Sequence, residues 1–226
     1  MPTSQSPFVL PSADRARSLA EALLSIDAVS LRPHDPFTWS SGLVAPIYCD
    51  NRRTLAHPSV RHAIADGFAE TVADHDWAPL TVGGTATAGI PHAAWLADRL
   101  GAPMAYVRAS AKGHGQGQRI EGARLGAGDA VVVVEDLIST GRSALDAVAA
   151  VRETGATVPA VLAIFSYGLD AAVTAFREAG VPCHVLTTFP MLLDVARRQH
   201  SLSDDAQALL NDWQADPEAW SDEHGD

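Results

Sequence analysis

The pattern of apolar and polar positions divides the chain near residue 58. Residues 12–25 place apolar side chains at helical spacing, and Ser12 or Asp14 can cap the first amides of this predicted helix. Three short extended runs follow, at residues 29–32, 37–40 and 46–50. We therefore expect an N-terminal helix and a small antiparallel β lid beside the main body.

Beyond residue 58, short apolar runs alternate with amphipathic segments. The predicted helices cover residues 59–73, 88–100, 143–153 and 170–179. The predicted strands cover residues 80–83, 104–107, 130–135, 160–165 and 184–186. This alternation is typical of a parallel sheet covered by helices on both faces. The expected fold class is therefore α/β, an open and mainly parallel sheet with helices on both faces and a small N-terminal lid.

The C-terminal part of the chain is helical and acidic. The pattern predicts helices up to residue 199 and again from residue 203 to about residue 213. The last 26 residues contain eight acidic residues and no lysine or arginine, which is typical of a solvated, frayed tail. We expect three parts: an N-terminal helix and lid at residues 1–57, a ligand-binding α/β core at 58–200, and an acidic helix or tail at 201–226.

Charge and composition narrow the classes of partner. The 226 residues carry a formal net charge of -11, which argues against a general nucleic-acid or anionic-membrane partner because both need a broad cationic surface. No apolar run approaches the roughly 20 residues that span a bilayer, and no secretory signal opens the chain. We expect a cytoplasmic protein. Cys49 and Cys183 match no metal-ligand spacing, so we expect free, buried thiols.

Residues 131–143 carry the strongest indication of a ligand site. Four valines predict a strand buried on both faces, and Glu135 and Asp136 follow at its carboxyl end, where open α/β sheets bind ligands. Residues 139–143 then lead into a helix whose amides, hydroxyls and dipole suit a phosphate. The two acids can accept hydrogen bonds from vicinal hydroxyls or hold the water shell of Mg²⁺. The simpler alternative is a strand end and a helix cap without a ligand.

The same 13 residues resemble the signature of the type I phosphoribosyltransferases: four apolar residues, two acids, two apolar residues, then Ser/Thr-Thr-Gly-x-Ser/Thr. The resemblance implies the type I phosphoribosyltransferase fold and a site for 5-phosphoribosyl pyrophosphate (PRPP). Its acids contact the ribose hydroxyls and its loop wraps the 5′-phosphate. The implied PRPP-binding residues here are Glu135, Asp136, Leu137, Ile138, Ser139, Thr140, Gly141, Arg142 and Ser143. A Walker A loop is excluded because Gly-Lys-Ser/Thr is missing, and the glycines at 113, 115 and 117 lack the dinucleotide spacing.

A second candidate is the glycine-rich segment 106–122, which holds Arg108, Lys112 and His114 within an acidic protein. Lys112 is the only lysine of the chain. The ordinary alternative is a solvated surface loop. However, the pattern Arg-x-x-x-Lys-x-His-Gly resembles the flexible catalytic loop of the orotate phosphoribosyltransferases, which closes over the PRPP of the neighbouring subunit. The resemblance implies that these three groups bind PRPP and are catalytic together with Asp136, and that a homodimer uses the 108–122 loop in trans.

Two further segments extend the resemblance to roughly residues 30–170. Residues 37–52 are similar to the substrate-side segment of these enzymes, and residues 82–91 to their pyrophosphate-binding turn; without a ligand they would be a β lid and a helix entry. Implied orotate contacts are Ser139 and Tyr48. The chain departs from many relatives, which carry lysines where residues 40–44 and 87–88 stand here. An arginine of some relatives is replaced by Ser166-Tyr-Gly.

The expected function is transfer of the 5-phosphoribosyl group of PRPP to orotate, giving orotidine 5′-monophosphate and pyrophosphate. Mg²⁺ is the implied cofactor, held through PRPP and water near Glu135 and Asp136 rather than by direct protein ligands. Two alternatives stay open: a phosphoribosyltransferase for another base, and a non-catalytic regulator that senses PRPP. The regulator is disfavoured because the roughly 30 residues before the lid are too few for a DNA-binding domain.

Overall fold

The computed structural model describes residues 6–39, 41–75, 77, 80–110 and 119–225 of the chain. The strands are β1 (Phe8–Val9), β2 (Val29–Leu31), β3 (Phe37–Thr38), β4 (Val44–Ala45), β5 (Ile47–Cys49), β6 (Thr81–Thr85), β7 (Met104–Val107), β8 (Ile120–Gly122), β9 (Val131–Ile138), β10 (Val161–Ser166) and β11 (Cys183–Thr188). The α-helices are α1 (Ala13–Ser25), α2 (Pro58–Ala73), α3 (Gly89–Leu100), α4 (Arg142–Arg152), α5 (Asp170–Ala179), α6 (Phe189–Arg198), α7 (Asp204–Ala215) and α8 (Pro217–His224), and a 3₁₀ helix covers Asn51–Ala56. None of the described helices is long and apolar enough to cross a membrane.

One seven-stranded sheet forms the body, in the order β1-β11-β10-β9-β6-β7-β8. Its neighbouring strands are parallel, except that β7 and β8 are antiparallel. Two small antiparallel pairs, β2 with β5 and β3 with β4, make up the lid. The predicted fold class, an open and mainly parallel α/β sheet with a small lid, is confirmed.

The two faces of β9 pack into two separate apolar clusters. Val132 and Val134 lie in the cluster built with α1, α2, α3 and α6, whereas Val131 and Val133 lie in the cluster built with α4 and α5. All four valines are fully buried, as expected for a central parallel strand. Helices therefore cover both faces of the sheet. The residues of β9 that lead to its carboxyl end are tightly packed on both sides.

The structure corrects the predicted end of this strand. The polarity of Glu135 and Asp136 predicts that the strand stops at residue 135, but β9 continues to Ile138. The reason is the neighbouring strand, because Ile138 still pairs in register with Ser166 of β10. Backbone pairing extends a strand whatever its side chains are. Both acids therefore lie within β9, and the connection to α4 is shorter than predicted.

Other differences concern elements that depend on a distant partner. The strands β1, β4 and β8 were not predicted; each has two or three residues and is formed by pairing with another strand. Such short strands show no periodicity of their own in the sequence. Ser12 stands at the start of α1 as predicted, but its side chain accepts no capping hydrogen bond.

The C-terminal segment is more ordered than a frayed tail. It forms α7 and α8, which begin with side-chain caps from Ser203 and Asp216. Trp213 and Trp220 are buried, at 0% and 4% exposure. Because acidic residues lie between the two tryptophans, the charge of the segment alone does not predict this buried apolar face. The division into residues 1–57, 58–200 and 201–226 stays a prediction.

Gly89 offers a test of how closely α3 approaches β9. A methyl group on Gly89 would overlap the backbone oxygen of Val134, next to the acids. We expect Gly89→Ala to lower the free energy of unfolding by about 1–3 kcal/mol, since the obstacle is backbone that cannot turn away. Chemical denaturation measures this change. Gly126→Ala is the control, because nothing lies within 4 Å of the added carbon; equal stability of both variants would contradict the close approach.

Candidate active site

The carboxyl ends of four parallel strands meet at one edge of the sheet. Thr85 of β6 pairs with Val107 of β7, and Ile138 of β9 pairs with Ser166 of β10. A cavity of about 350 Å³ opens at this edge. Its walls come from the end of β6, from both sides of the β7–β8 connection, and from residues 137–147 between β9 and α4. The site lies where open α/β sheets bind ligands.

The wall from residues 139–143 consists of a turn and the first two residues of α4. Gly141 has a left-handed backbone with φ of 83°, and a side chain there would run into the ring of Phe176 on α5. Only glycine meets both conditions without strain. The first amides of α4 have no partner within the helix and carry its positive dipole end. The predicted loop residues Ser139, Thr140, Gly141, Arg142 and Ser143 all line the cavity.

Glu135 ties this turn to the strand. Its side chain is buried at 4% exposure, and one carboxylate oxygen accepts a hydrogen bond from the Ser143 hydroxyl at 2.8 Å. The other oxygen accepts from the backbone N–H of Asp136 at 3.1 Å. Glu135 thus braces the start of α4 from within. The hydrogen bond from Ser143 gives Glu135 a structural role, whereas the family resemblance implies that Glu135 contacts the ribose.

Asp136 is anchored through its backbone. Its carbonyl oxygen accepts a hydrogen bond from Nδ2 of Asn51 at 2.7 Å. Asn51 is 1% exposed and lies in the 3₁₀ helix that follows the lid. The sequence analysis missed Asn51, although an amide between charged neighbours after a strand is a recognisable signal for a turn or cap. The 3₁₀ helix that follows the lid therefore contacts the backbone of β9 close to the turn.

Burial dominates the electrostatics of the two acids. It raises the pKa of Glu135 to about 8 from an ordinary 4.5, and the neighbouring carboxylate of Asp136 adds to the rise. Burial also raises the pKa of Asp136, against the opposing effects of its hydrogen bonds, first of all with Glu135, and of the Arg52 guanidinium. A buried carboxyl group beside a half-buried one disfavours double ionisation of the pair. A bound cation would relieve this repulsion.

The donor set fits Mg²⁺ only as a partner of the substrate. Carboxylate oxygens are the ligands that Mg²⁺ prefers. Among the described residues, however, no group of three or more His, Cys, Asp or Glu side chains is placed to hold a metal. Glu135 and Asp136 can supply oxygens or orient water, and the remaining ligands would come from substrate and solvent.

Two arginines form the cationic wall. Arg108 and Arg119 line the cavity from either side of the β7–β8 connection. Nη1 of Arg108 lies 3.1 Å from Oε1 of Glu121, whose other oxygen accepts from the Tyr106 hydroxyl at 2.9 Å. The Nε of Arg119 donates to the carbonyl of Arg108 at 3.2 Å. Arg119 was not predicted as a site residue, although its position in the basic glycine-rich segment was a usable signal.

The remaining predicted residues separate into three cases. Leu137 lines the cavity beside Ser139, whereas Ile138 is fully buried behind it. Tyr48 lies outside the cavity wall, with 41% exposure and its ring 5.6 Å from that of Phe37. Lys112 and His114 lie outside the described residues.

The comparison with known proteins agrees with this geometry. The family described as the phosphoribosyl transferase domain matches residues 52–173, from the 3₁₀ helix to α5. The fold and the site therefore define a phosphoribosyltransferase. An orotate phosphoribosyltransferase of Cutibacterium acnes is 54% identical over 209 residues, which are 92% of this chain and 96% of that protein. The chain belongs to the orotate phosphoribosyltransferase family.

Solved structures show the same relationship. The crystal structure of orotate phosphoribosyltransferase from Aeropyrum pernix aligns with a TM-score of 0.68 and 33% identity, over 82% of this chain and 99% of that one. The enzyme of Mycobacterium tuberculosis in complex with PRPP aligns with a TM-score of 0.61 and 28% identity, over 79% of this chain and 98% of that one.

The raised pKa of Glu135 predicts a pH-dependent stability. Between its ordinary value of 4.5 and about 8, the unfolded chain ionises this carboxyl group while the folded chain keeps it protonated. The folded state binds more protons, so stability falls as pH rises through this window. Between pH 5 and pH 8 the free energy of unfolding of Glu135→Gln should therefore fall by less than that of the wild type. The difference should exceed about 1 kcal/mol, since one pKa unit is worth about 1.4 kcal/mol.

Thermal and denaturant unfolding from pH 5 to pH 8 would measure the effect without ligand. The control is Glu153→Gln, which removes a carboxylate from an exposed position just after α4. A decline in Glu135→Gln as steep as in the wild type would show that Glu135 is not the group responsible.

Proposed function

We propose that the enzyme transfers the 5-phosphoribosyl group of PRPP to orotate, giving orotidine 5′-monophosphate and pyrophosphate for pyrimidine biosynthesis. The observation that carries this proposal is one cavity that joins the helix-capped turn of residues 139–143 to a cationic wall at Arg108 and Arg119. The turn and the cationic wall are complementary to the 5′-phosphate and the pyrophosphate of PRPP. Relatives that are 54% and 50% identical in sequence are named orotate phosphoribosyltransferase.

The 5′-phosphate would bind at the turn before α4. Backbone amides and the hydroxyls of Ser139, Thr140 and Ser143 can donate to its oxygens, and the helix dipole favours its charge. Neither acid is among the described residues that line the cavity; we assign Asp136, two residues before the end of β9, to the ribose hydroxyls because Glu135 is engaged by Ser143. The hydrogen bond of Glu135 to Ser143 supports an indirect role for Glu135, which shapes the turn that holds the phosphate.

The pyrophosphate would lie against the cationic wall. Arg108 and Arg119 supply positive charge there, and we assign Lys112 and His114 to the same task from the loop pattern. Negative charge grows on the leaving pyrophosphate as the bond at the anomeric carbon breaks, while the sugar gains oxocarbenium character. Fixed cations at this position stabilise the transition state more than the ground state.

Mg²⁺ is the cofactor we assign, since phosphoribosyltransferases of this family generally use it with PRPP. Glu135 and Asp136 would hold it through water, and it would neutralise charge on the pyrophosphate. The protein's own residues bind the phosphate, orient the ribose and exclude water when the 108–122 loop closes.

We assign the base site to the space between Ser139 and the lid, next to the cavity, whose described wall includes Ser139 but no residue of β10. The backbone N–H of Tyr167 donates to the carbonyl of Ile138 at 3.1 Å, which places Tyr167 beside Ser139. The ring of Trp39 in the lid packs against Tyr167, with centroids 5.3 Å apart. Ser139 would contact orotate between them. The contact of Tyr48 with orotate stays a prediction, as does the cytoplasmic location.

The substrate assignment is tested by the loss of orotate absorbance in the presence of PRPP and Mg²⁺. Orotate should be consumed, and a chelator should abolish the reaction and excess Mg²⁺ restore it. A panel of other bases under the same conditions separates the proposal from its alternative. Turnover with a purine but not with orotate would overturn the assignment of the base.

Lys112→Ala should lower kcat by roughly 10²–10³-fold, because it removes a cation that neutralises the departing pyrophosphate. The unfolding temperature should not change. Arg177→Ala, which removes a positive charge from the exposed end of α5, is the control. Turnover of Lys112→Ala at the wild-type rate would sink the assignment of the loop.

The homodimer with a loop acting in trans is tested by mixing two inactive variants. Lys112→Ala spoils the loop, and Asp136→Asn spoils the binding site. A mixed dimer holds one site with both features intact, so random exchange of subunits should restore about one quarter of the wild-type activity. Activity that stays absent although subunits have exchanged would show that each loop serves its own subunit.

A further inference from the structure

The C-terminal helices, to which the sequence analysis assigned no chemistry, contact both segments that border the assigned base site. One segment is the stretch that begins at Tyr167, after β10. The other is the β3–β4 hairpin of the lid, which carries Trp39. The contacts come from α7 and α8, more than 40 residues from the first segment and more than 150 from the second in sequence.

The first contact leads from α7 to the signature turn. Nε2 of Gln214 donates a hydrogen bond to the carbonyl oxygen of Tyr167 at 2.7 Å. The backbone N–H of Tyr167 in turn donates to the carbonyl oxygen of Ile138 at 3.1 Å. Ile138 immediately precedes Ser139. Two hydrogen bonds therefore connect α7 to Ile138, the residue before the one assigned to orotate.

The second contact leads from α8 to the lid. The backbone N–H of Val44 donates to the hydroxyl of Ser221 at 2.9 Å, across 177 positions of sequence. Val44 lies in β4 and pairs with Thr38 of β3. Each of these strands has two residues, and so short a hairpin is not stable alone. Its position is set by what it packs against.

A buried indole joins the two contacts. Trp213 is 0% exposed, and its ring centroid lies 5.4 Å from that of Tyr167 and 5.8 Å from that of Trp39. Phe189 at the start of α6 packs on the same ring at 5.5 Å. The cluster fills the space behind both walls of the base site.

We propose that α7 and α8 fix the width of the orotate site, with Gln214 and Ser221 as positioning residues. Neither residue lies in the wall of the PRPP cavity. Gln214 holds the carbonyl of Tyr167 on one side of the base site, and Ser221 holds the N–H of Val44 in the lid on the other side. Loss of either hydrogen bond lets the two sides of the base site move apart. The proposal rests on the assignment of orotate to the space between Ser139, Tyr167 and the lid.

The test is steady-state kinetics of Gln214→Ala, Ser221→Ala and the double variant. Each single change should raise the KM for orotate about three- to tenfold, which is the loss expected for one hydrogen bond. The double variant should raise it further, while the KM for PRPP stays within about twofold of the wild type. Ser221→Thr keeps the hydroxyl and should restore the KM for orotate. Asn211→Ala, at an exposed position on α7, is the matched control.

Amide hydrogen exchange provides a readout that does not depend on turnover. In Ser221→Ala the amides of Trp39 and Val44 should exchange faster, whereas those of β9 should not change. Lower thermal stability with both KM values and both exchange rates unchanged would overturn the proposal, since the helices would then only add stability. An equal rise in both KM values would overturn it too. If the wild type consumes no orotate, the proposed function fails, and hydrogen exchange still decides whether α8 holds the lid.

Discussion

The burial of the Glu135 carboxyl group is the constraint on which the rest of the site depends. This group lies three residues before the end of the central strand and is only 4% exposed, and its oxygens accept hydrogen bonds from the Ser143 hydroxyl and from the next backbone amide. Because an unsatisfied buried carboxyl group would be costly, α4 must begin where Ser143 can reach it. The position of the turn at residues 139–141 follows from that requirement.

The lid is part of the same arrangement. Asn51 fixes the backbone of Asp136 from one side, and Trp39 packs on Tyr167 from the other. A segment that is distant in sequence from β9 and β10 thus touches both of them at the edge where their ends meet. The chain brings its N-terminal lid and its C-terminal helices together beside Tyr167, and the central sheet supplies the turn that leads into α4.

Much of this organisation could be predicted from the sequence, and the failures have physical causes. The run of four valines predicts a central strand because no exposed or half-exposed strand tolerates it. The loop residues 139–143 were found because a glycine between hydroxyl residues before a helix is a local pattern. The extension of β9 to Ile138 was missed since it depends on pairing with β10. The order in α7 and α8 was missed because Trp213 and Trp220 are separated by acidic residues, and charge was given more weight than their spacing. Arg119 and Asn51 had local signals, but only tertiary contacts show that Arg119 lines the cavity and that Asn51 binds the backbone of Asp136.

The two cysteines have a practical consequence. Both thiols are buried, and burial raises the pKa of each, while the thiolate is the form that reacts with alkylating reagents. A cysteine introduced at an exposed position would therefore be the one thiol that a maleimide dye reaches readily. The two natural cysteines need no replacement, so a fluorophore attached near the β7–β8 connection would test the proposed loop closure in otherwise unmodified protein.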